Sequence, residues 1–161
     1  MTFDNPKGTR GARQPGGLMR FGNTFNIRRI RSQGGRGLIG GSDALILTTI
    51  GAKSGQERST PVVWFPGDDG TWIIAATAAG AAHNPAWFHN LAAHPDRVRI
   101  ELDGQSIDVA AEQLHGQERD QAWAAIVAAA PRFNKYTEAT DRLIPVIRLR
   151  RRAPEGLSPS A

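Results

Sequence analysis

Between Leu45 and Phe65 the chain reads LILTTIGAKSGQERSTPVVWF, and no other stretch narrows the fold as much. Two runs rich in β-branched and large apolar residues flank a polar turn, Gly51 to Glu57. Each run is short and bounded by turn residues, so a β-hairpin is expected, with strands over 44–50 and 58–65. Period two puts Arg58, Thr60, Val62 and Trp64 on one face, and Ser59, Pro61, Val63 and Phe65 on the other. Pro61 has no N–H for a ladder, so an edge position or a bulge is expected there. The turn gathers Lys53, Ser54 and Gly55, with Arg58 just beyond it. Cations, a hydroxyl and free backbone N–H groups in one place can cradle a phosphate, and Arg58 adds a bidentate fork. A solvated hairpin tip with ordinary surface charges is the plain alternative. The residues alone weigh the two evenly.

Downstream, Gly67-Asp68-Asp69-Gly70 marks a second hairpin turn, and Thr71 to Thr77 (TWIIAAT) reads as a third strand. Asn84-Pro85 predicts a helix start, with Asn84 as the cap and Pro85 as the first helical residue, running to about Ala93. Val98 to Leu102 and Ser106 to Glu112 pair across Asp103-Gly104. An alanine-rich helix over 118–130 ends at Pro131, a helical turn follows over 132–140, and Leu143 to Leu149 is a final strand. Upstream, a helix is expected over 18–32, with Leu18, Phe21 and Phe25 on one side and Arg20, Arg28, Arg29 and Arg31 elsewhere. It either packs on the domain or lies on a membrane surface as a basic amphipathic helix. Residues 1–17 and 151–161 are expected to be a disordered basic arm and tail, leaving one domain over 18–150. Hairpin-linked short strands interrupted by helices predict a mainly β, α+β protein: a compact barrel of antiparallel strands with helical decoration.

Charge and composition remove several function classes. The ends carry the basicity: residues 1–41 hold eight Lys/Arg and one acid, and residues 148–161 hold four Arg and one acid. The middle, 42–147, has eight bases and thirteen acids, so the folded body is mildly acidic and nucleic acid is not an expected partner. With no cysteine there are no disulfides and no thiolate metal sites or nucleophiles. His83, His89, His94 and His115 are never spaced i, i+4, and no metal is expected. No G-x-S-x-G elbow occurs. Gly35-Arg36-Gly37-Leu38-Ile39-Gly40 satisfies the dinucleotide pattern G-x-G-x-x-G, but a basic helix precedes it and a strand follows, so it reads as a flexible loop. Ala52-Lys53-Ser54 fails as a P-loop for the same reason, since a strand and not a helix follows it. No apolar run is long enough for a membrane span and no signal-peptide core opens the chain, which predicts a cytoplasmic protein with room for peripheral membrane contact.

Three segments in order resemble the deazaflavin-dependent nitroreductase family. They are Leu47 to Arg58 followed by Thr60-Pro61; His83-Asn84-Pro85-Ala86-Trp87-Phe88-His89-Asn90-Leu91; and Tyr136 through Thr140-Asp141-Arg142-Leu143-Ile144-Pro145-Val146. The resemblance implies a split β-barrel of about six antiparallel strands with an N-terminal helix and two further helices. It also implies coenzyme F420, an 8-hydroxy-5-deazaflavin with a phosphorylated, polyanionic tail. In that family's pattern, Lys53, Ser54 and Arg58 grip the tail with help from Asn90. Thr60 and Pro61 lie along the coenzyme, Trp87 packs near its ring, and Thr77 sits by the hydride-carrying carbon. Phe133 and Tyr136 fall on the substrate side, with Tyr136 and Thr77 the catalytic candidates. The implied activity is hydride transfer from the reduced coenzyme to an electron-poor small molecule such as a quinone, an enone or a nitro compound, by a monomer or a homodimer. Lys53 and Arg58 stay charged at neutral pH, as an anionic tail requires. A deazaflavin carries the hydride itself, so the absence of an acid–base dyad is no obstacle. Ala52 and Ala78 replace basic residues of the family pattern, and Ala130 and Phe133 stand where relatives active on nitroaromatics carry tyrosines. An FMN-dependent enzyme on the same barrel, and a non-catalytic carrier of a cofactor or lipid, are the alternatives.

Overall fold

The computed structural model describes residues 3–4, 8–12, 27–32, 37–39 and 41–153. Its strands are β1 (Gly37–Ile39), β2 (Ser42–Ile50), β3 (Glu57–Val63), β4 (Phe65–Pro66), β5 (Trp72–Ala75), β6 (Val98–Leu102), β7 (Gln105–Leu114) and β8 (Val146–Arg151). The helices are α1 (residues 27–32), α2 (Ala86–Ala93), α3 (Gly116–Ala129) and α4 (Asn134–Ala139). All strand pairs are antiparallel, in the order β1-β2-β6-β7-β8-β5-β4, with β3 on the other edge of β2. β3 runs into β4 through the single residue Trp64, so one stretch of chain pairs with β2 at its start and β5 at its end. Six strands therefore close on themselves, the α+β split barrel that was expected.

Period two sorts the core. Leu45 and Leu47 of β2, Trp72 and Ile74 of β5, and Ile147 and Leu149 of β8 fill the barrel, joined by Phe88 and Leu91 from α2. The alternate residues Ile73 and Val146 face outward and are covered by Ile126 of α3 and by Phe133. β2 is buried on both faces, since Ala44 and Ile46 pack on Ile30 of α1, and this explains its unbroken apolar run. Asp103 and Gly104 have φ of +51° and +73°, as a two-residue hairpin turn between β6 and β7 requires.

The structure corrects several boundaries. The second strand of the first hairpin breaks at Trp64 and ends as β4, because its partner changes there from β2 to β5. Face parity nonetheless holds: Val62 and Trp64 pack in the barrel, Val63 and Phe65 outside it. The glycine-rich run read as a loop contains β1 in its described part, because Ile39 turns back through Gly41 to pair with Ser42. The last strand starts at Val146, not Leu143, and continues to Arg151, beyond the expected domain edge at 150. Asn84 does not cap α2: Pro85 holds the cap position, and the Asn84 side chain instead accepts a hydrogen bond from Arg142. Residues 18–26, with Leu18, Phe21 and Phe25, lie outside the described residues, as does the tail from residue 154. In α1, Arg28 and Arg29 are exposed and Arg31 pairs with Glu101 at 3.0 Å. No described helix is long and apolar enough to cross a membrane.

Candidate functional site

The site follows from where the barrel parts. β4 pairs with β5 only through Phe65–Ile73 and Pro66–Trp72, after which β3 turns away to β2. Beyond those two pairs the outer edge of β3 and the end of β5 are not hydrogen-bonded to each other, which leaves a gap between the strands, and Thr77 follows two residues after β5 ends at Ala75. The Trp64 N–H donates to Asp43 O at 3.0 Å, which fixes the hydrogen-bond phase of β3. Arg58, Thr60 and Val62 turn their backbone groups to β2, while Ser59, Pro61 and Val63 turn theirs to the gap. Pro61 is thus tolerated at an edge where its missing N–H costs no ladder bond, and no bulge forms.

At one end of this edge sits the turn. The Gly51 N–H donates to Gln56 O at 2.8 Å, and Gly55 N–H to Gly51 O at 2.9 Å, closing a tight loop. Gly55 has φ of +68°, which a side chain would resist. Ser54 Oγ accepts from the Gln56 N–H at 3.2 Å, so this hydroxyl shapes the turn as well as facing solvent. Asn90 on α2 ties the turn to the barrel: its Oδ1 accepts from the Ala52 N–H at 2.9 Å and its Nδ2 donates to Thr49 Oγ1 at 3.1 Å. Thr49 stands opposite Arg58, and Trp87 lies one helical turn before Asn90, half-buried against the barrel core. Lys53 and Arg58 are exposed, and neither meets a carboxylate among the described residues. Glu57, the acid between them, is drawn off by Arg99 at 3.3 Å. The turn is therefore a net cationic tip built on rigid elements.

At the other end, Thr77 follows β5 and Tyr136 lies on α4. The turn that follows Thr77 packs against α4 at Gly80, whose missing Cβ would meet Ala139 Cβ at 2.8 Å and Tyr136 Cα at 3.6 Å. Tyr136 is half-buried, its ring edge-on to Phe133 with centroids 5.3 Å apart, and its hydroxyl has no hydrogen-bond partner among the described residues. Phe133 is different. It is 5% exposed, with Phe65 at 5.5 Å and Trp123 at 6.5 Å, a core position.

Two features escaped sequence reasoning. Arg142 is 3% exposed and hydrogen-bonds the whole Thr77 loop. Residues 8–12, expected within the arm, lie as a strap on the same region: Gly8 N–H donates to Ala82 O at 2.9 Å and Ala12 N–H to Gly80 O at 2.9 Å. Asp141 pins the strap by accepting from Thr9 Oγ1, from Arg10 N–H at 3.0 Å and from Thr9 N–H at 2.9 Å. Nothing in the local sequence marks a lone Asp-Arg pair as anything but a solvated turn. The Thr9 hydroxyl first, then the Arg10 amide, lower the Asp141 pKa from 3.8 to about 2. A depressed carboxylate pKa stabilises the docked strap above the unfolded value and loses that effect as pH falls through the folded one. Protection of the Thr9 and Arg10 amides, relative to their free-chain exchange rates, is expected to hold from neutral pH to near 3.8 and to fall towards about 2. Asp141→Asn should lower that protection at every pH above about 2.

Comparison with known proteins identifies the family. Residues 21–150 match the F420H(2)-dependent quinone reductase family. An F420H(2)-dependent quinone reductase of Mycobacterium tuberculosis is 34% identical over 121 residues, covering 73% of this chain and 80% of the relative. Among solved structures, an F420-H2 dependent reductase (FDR-A) is 34% identical with a TM-score of 0.59, covering 66% of this chain and 92% of its own. A second, described as a domain-swapped dimer, is 30% identical with a TM-score of 0.60, covering 84% of this chain and 99% of its own. By its family match, its relatives and its fold, this chain belongs to the F420H(2)-dependent quinone reductase family.

Proposed function

We propose that this oxidoreductase binds reduced coenzyme F420 in the gap between β3 and β5 and reduces an electron-poor acceptor of the quinone class, with enones and nitro compounds as further candidates. The carrying observation is the parted barrel, with a cationic turn on one side and, on the other, the hydroxyls of Thr77 and Tyr136, which have no hydrogen-bond partner among the described residues. The residues fit the group: an anionic tail finds Lys53 and Arg58 without competing carboxylates, and a planar ring finds an open strand edge with backbone groups turned towards it. The coenzyme is F420, as in the family, and FMN is set aside. When bound, the deazaflavin supplies the hydride.

The chain's own residues have simpler tasks. Lys53 and Arg58 bind the tail electrostatically, while Asn90 acts behind them by holding the turn, its side chain being spent on Ala52 and Thr49. Thr60 and Pro61 line the edge beside the ring, and Trp87 shields it from water. Thr77 and Tyr136 orient the acceptor oxygen, and the Tyr136 hydroxyl is the donor placed to return a proton there. Tyr136→Phe and Thr77→Val are each expected to lower kcat about 10- to 100-fold, with coenzyme affinity within twofold of the parent by fluorescence titration. Loss of affinity in either variant would move that residue to the tail end.

The likeness to a domain-swapped dimer supports a homodimer, which light scattering on the purified protein would test. Peripheral membrane contact through the basic N-terminal helix rests on exposed Arg28 and Arg29. Flotation with anionic liposomes tests it, and unchanged flotation of an Arg28→Ala/Arg29→Ala variant would rule it out.

A further inference from the structure

We propose that Arg142 is a positioning residue for the reduction, holding Thr77 in place through its main-chain carbonyl and setting an uncompensated positive charge behind it. This rests on the reading above that Thr77 stands at the acceptor end of the gap.

The observations concern one loop. Residues 76–85 join β5 to α2, and every acceptor of the Arg142 side chain among the described residues belongs to them. Nε donates to Ala81 O at 3.1 Å, Nη1 to Ala76 O at 3.0 Å and to Asn84 Oδ1, and Nη2 to Thr77 O at 3.0 Å. The guanidinium is a planar fork with fixed donor directions, so four acceptors on it fix the relative positions of both ends of the loop and of Thr77.

That hold opposes strain. Ala78 and Ala79 have φ of +46° and +54°, and Gly80 has +81°, three left-handed residues in a row of which two carry a Cβ. Such conformations persist only where the surroundings over-determine them, and they gather at functional sites. Here they directly follow the proposed acceptor residue. The Gly80 N–H also donates to Thr77 O at 2.8 Å, so this carbonyl is held from two sides.

The charge adds a second role. Arg142 is 3% exposed, and no carboxylate of the described residues bonds to it; its neighbour Asp141 is exposed and spent on the strap. Burial lowers the Arg142 pKa, yet a guanidinium remains charged at any working pH. Arg119, the other deeply buried arginine among the described residues, differs in having Asp120 beside it at 3.2 Å. In the reduction, a C–H bond of the reduced coenzyme breaks and the hydrogen leaves with its electron pair. A new bond forms at the acceptor, the coenzyme is oxidised, and the reduced acceptor is an anion until it takes a proton. A desolvated cation behind Thr77 favours that anion over the neutral acceptor.

The test compares Arg142→Met, Arg142→Lys and Asn84→Ala with the parent, using coenzyme F420 itself as the binding probe and a soluble quinone as acceptor. Arg142→Met should leave the coenzyme Kd within about twofold, since the tail turn is at the far end, and lower kcat about 100-fold, the loss that small misplacements at a reacting centre bring. Arg142→Lys, which keeps the charge but not the fork, should fall between Met and parent, and Asn84→Ala should lower kcat about tenfold with the charge in place. If Arg142→Met does not fold, the other two carry the same comparison. Unchanged kcat in folded variants would overturn the proposal. So would Kd and kcat falling in step with the melting temperature, the mark of a merely structural arginine. If the parent binds no F420, the functional reading fails first and this inference falls with it. If the parent turns over and the variants match it, only this inference falls.

Discussion

Replacing Lys53 and Arg58 together by alanine is expected to weaken coenzyme F420 binding by about 100-fold, with little change in stability. Each side chain is exposed and makes no ion pair within the described fold, so its removal leaves no buried group unsatisfied. In the complex each is a charge-assisted donor to phosphate or carboxylate, worth about 1.5–3 kcal/mol before solvent screening. Screening brings the pair to about 2.7 kcal/mol, or two factors of ten. Affinity of the parent should fall as salt rises, and that of the double variant should fall less. Titration of coenzyme fluorescence at two ionic strengths reads both effects. Equal affinity in parent and variant would remove the tail from this turn.

Phe133→Ala is expected to have the largest effect on stability, about 3–5 kcal/mol, the range for large aromatics in cores. Phe133 is 5% exposed and holds together three elements, meeting Phe65 of β4, Trp123 of α3 and Tyr136 of α4, with the Arg132 guanidinium 5.0 Å above its ring. For a domain of this size that is a fall in Tm of about 10 °C or more. Phe133→Leu refills most of the volume and should recover much of it. A Phe133→Ala protein of near-normal Tm but poor acceptor KM would return Phe133 to the pocket wall, where the family pattern had placed it.

The contrast between these two predictions shows what the residues could tell in advance. Period two in the Leu45–Phe65 stretch was enough for the hairpin, its faces and the edge position of Pro61, because one strand face meets the barrel core whatever lies beyond. The Asp103-Gly104 turn was legible because its backbone demands those residues. What depends on distant partners was not legible. Trp64 looks like any strand residue, and the break there exists only because β5 replaces β2 as the partner. Asn84 is a good helix cap by local rules but is claimed by Arg142, 58 residues away. Asn90 was expected to help grip the ligand, and its bonds to Ala52 and Thr49, which tie the turn to the helix, could not be read from the sequence. The proposed coenzyme end of the site is mostly local, built from one hairpin. The proposed acceptor end draws on β5, α4, Arg142 and the strap, which lie far apart in the chain.

The most direct measurement mixes the purified protein, without oxygen, with reduced coenzyme F420 and a soluble quinone, and follows the return of the oxidised deazaflavin absorbance. The predicted result is saturable turnover in both substrates that falls with loss of Tyr136 or Arg142 while coenzyme affinity is kept. Saturable coenzyme binding with no oxidation above the protein-free rate, across quinones and nitro compounds, would contradict it and leave a carrier in place of an enzyme.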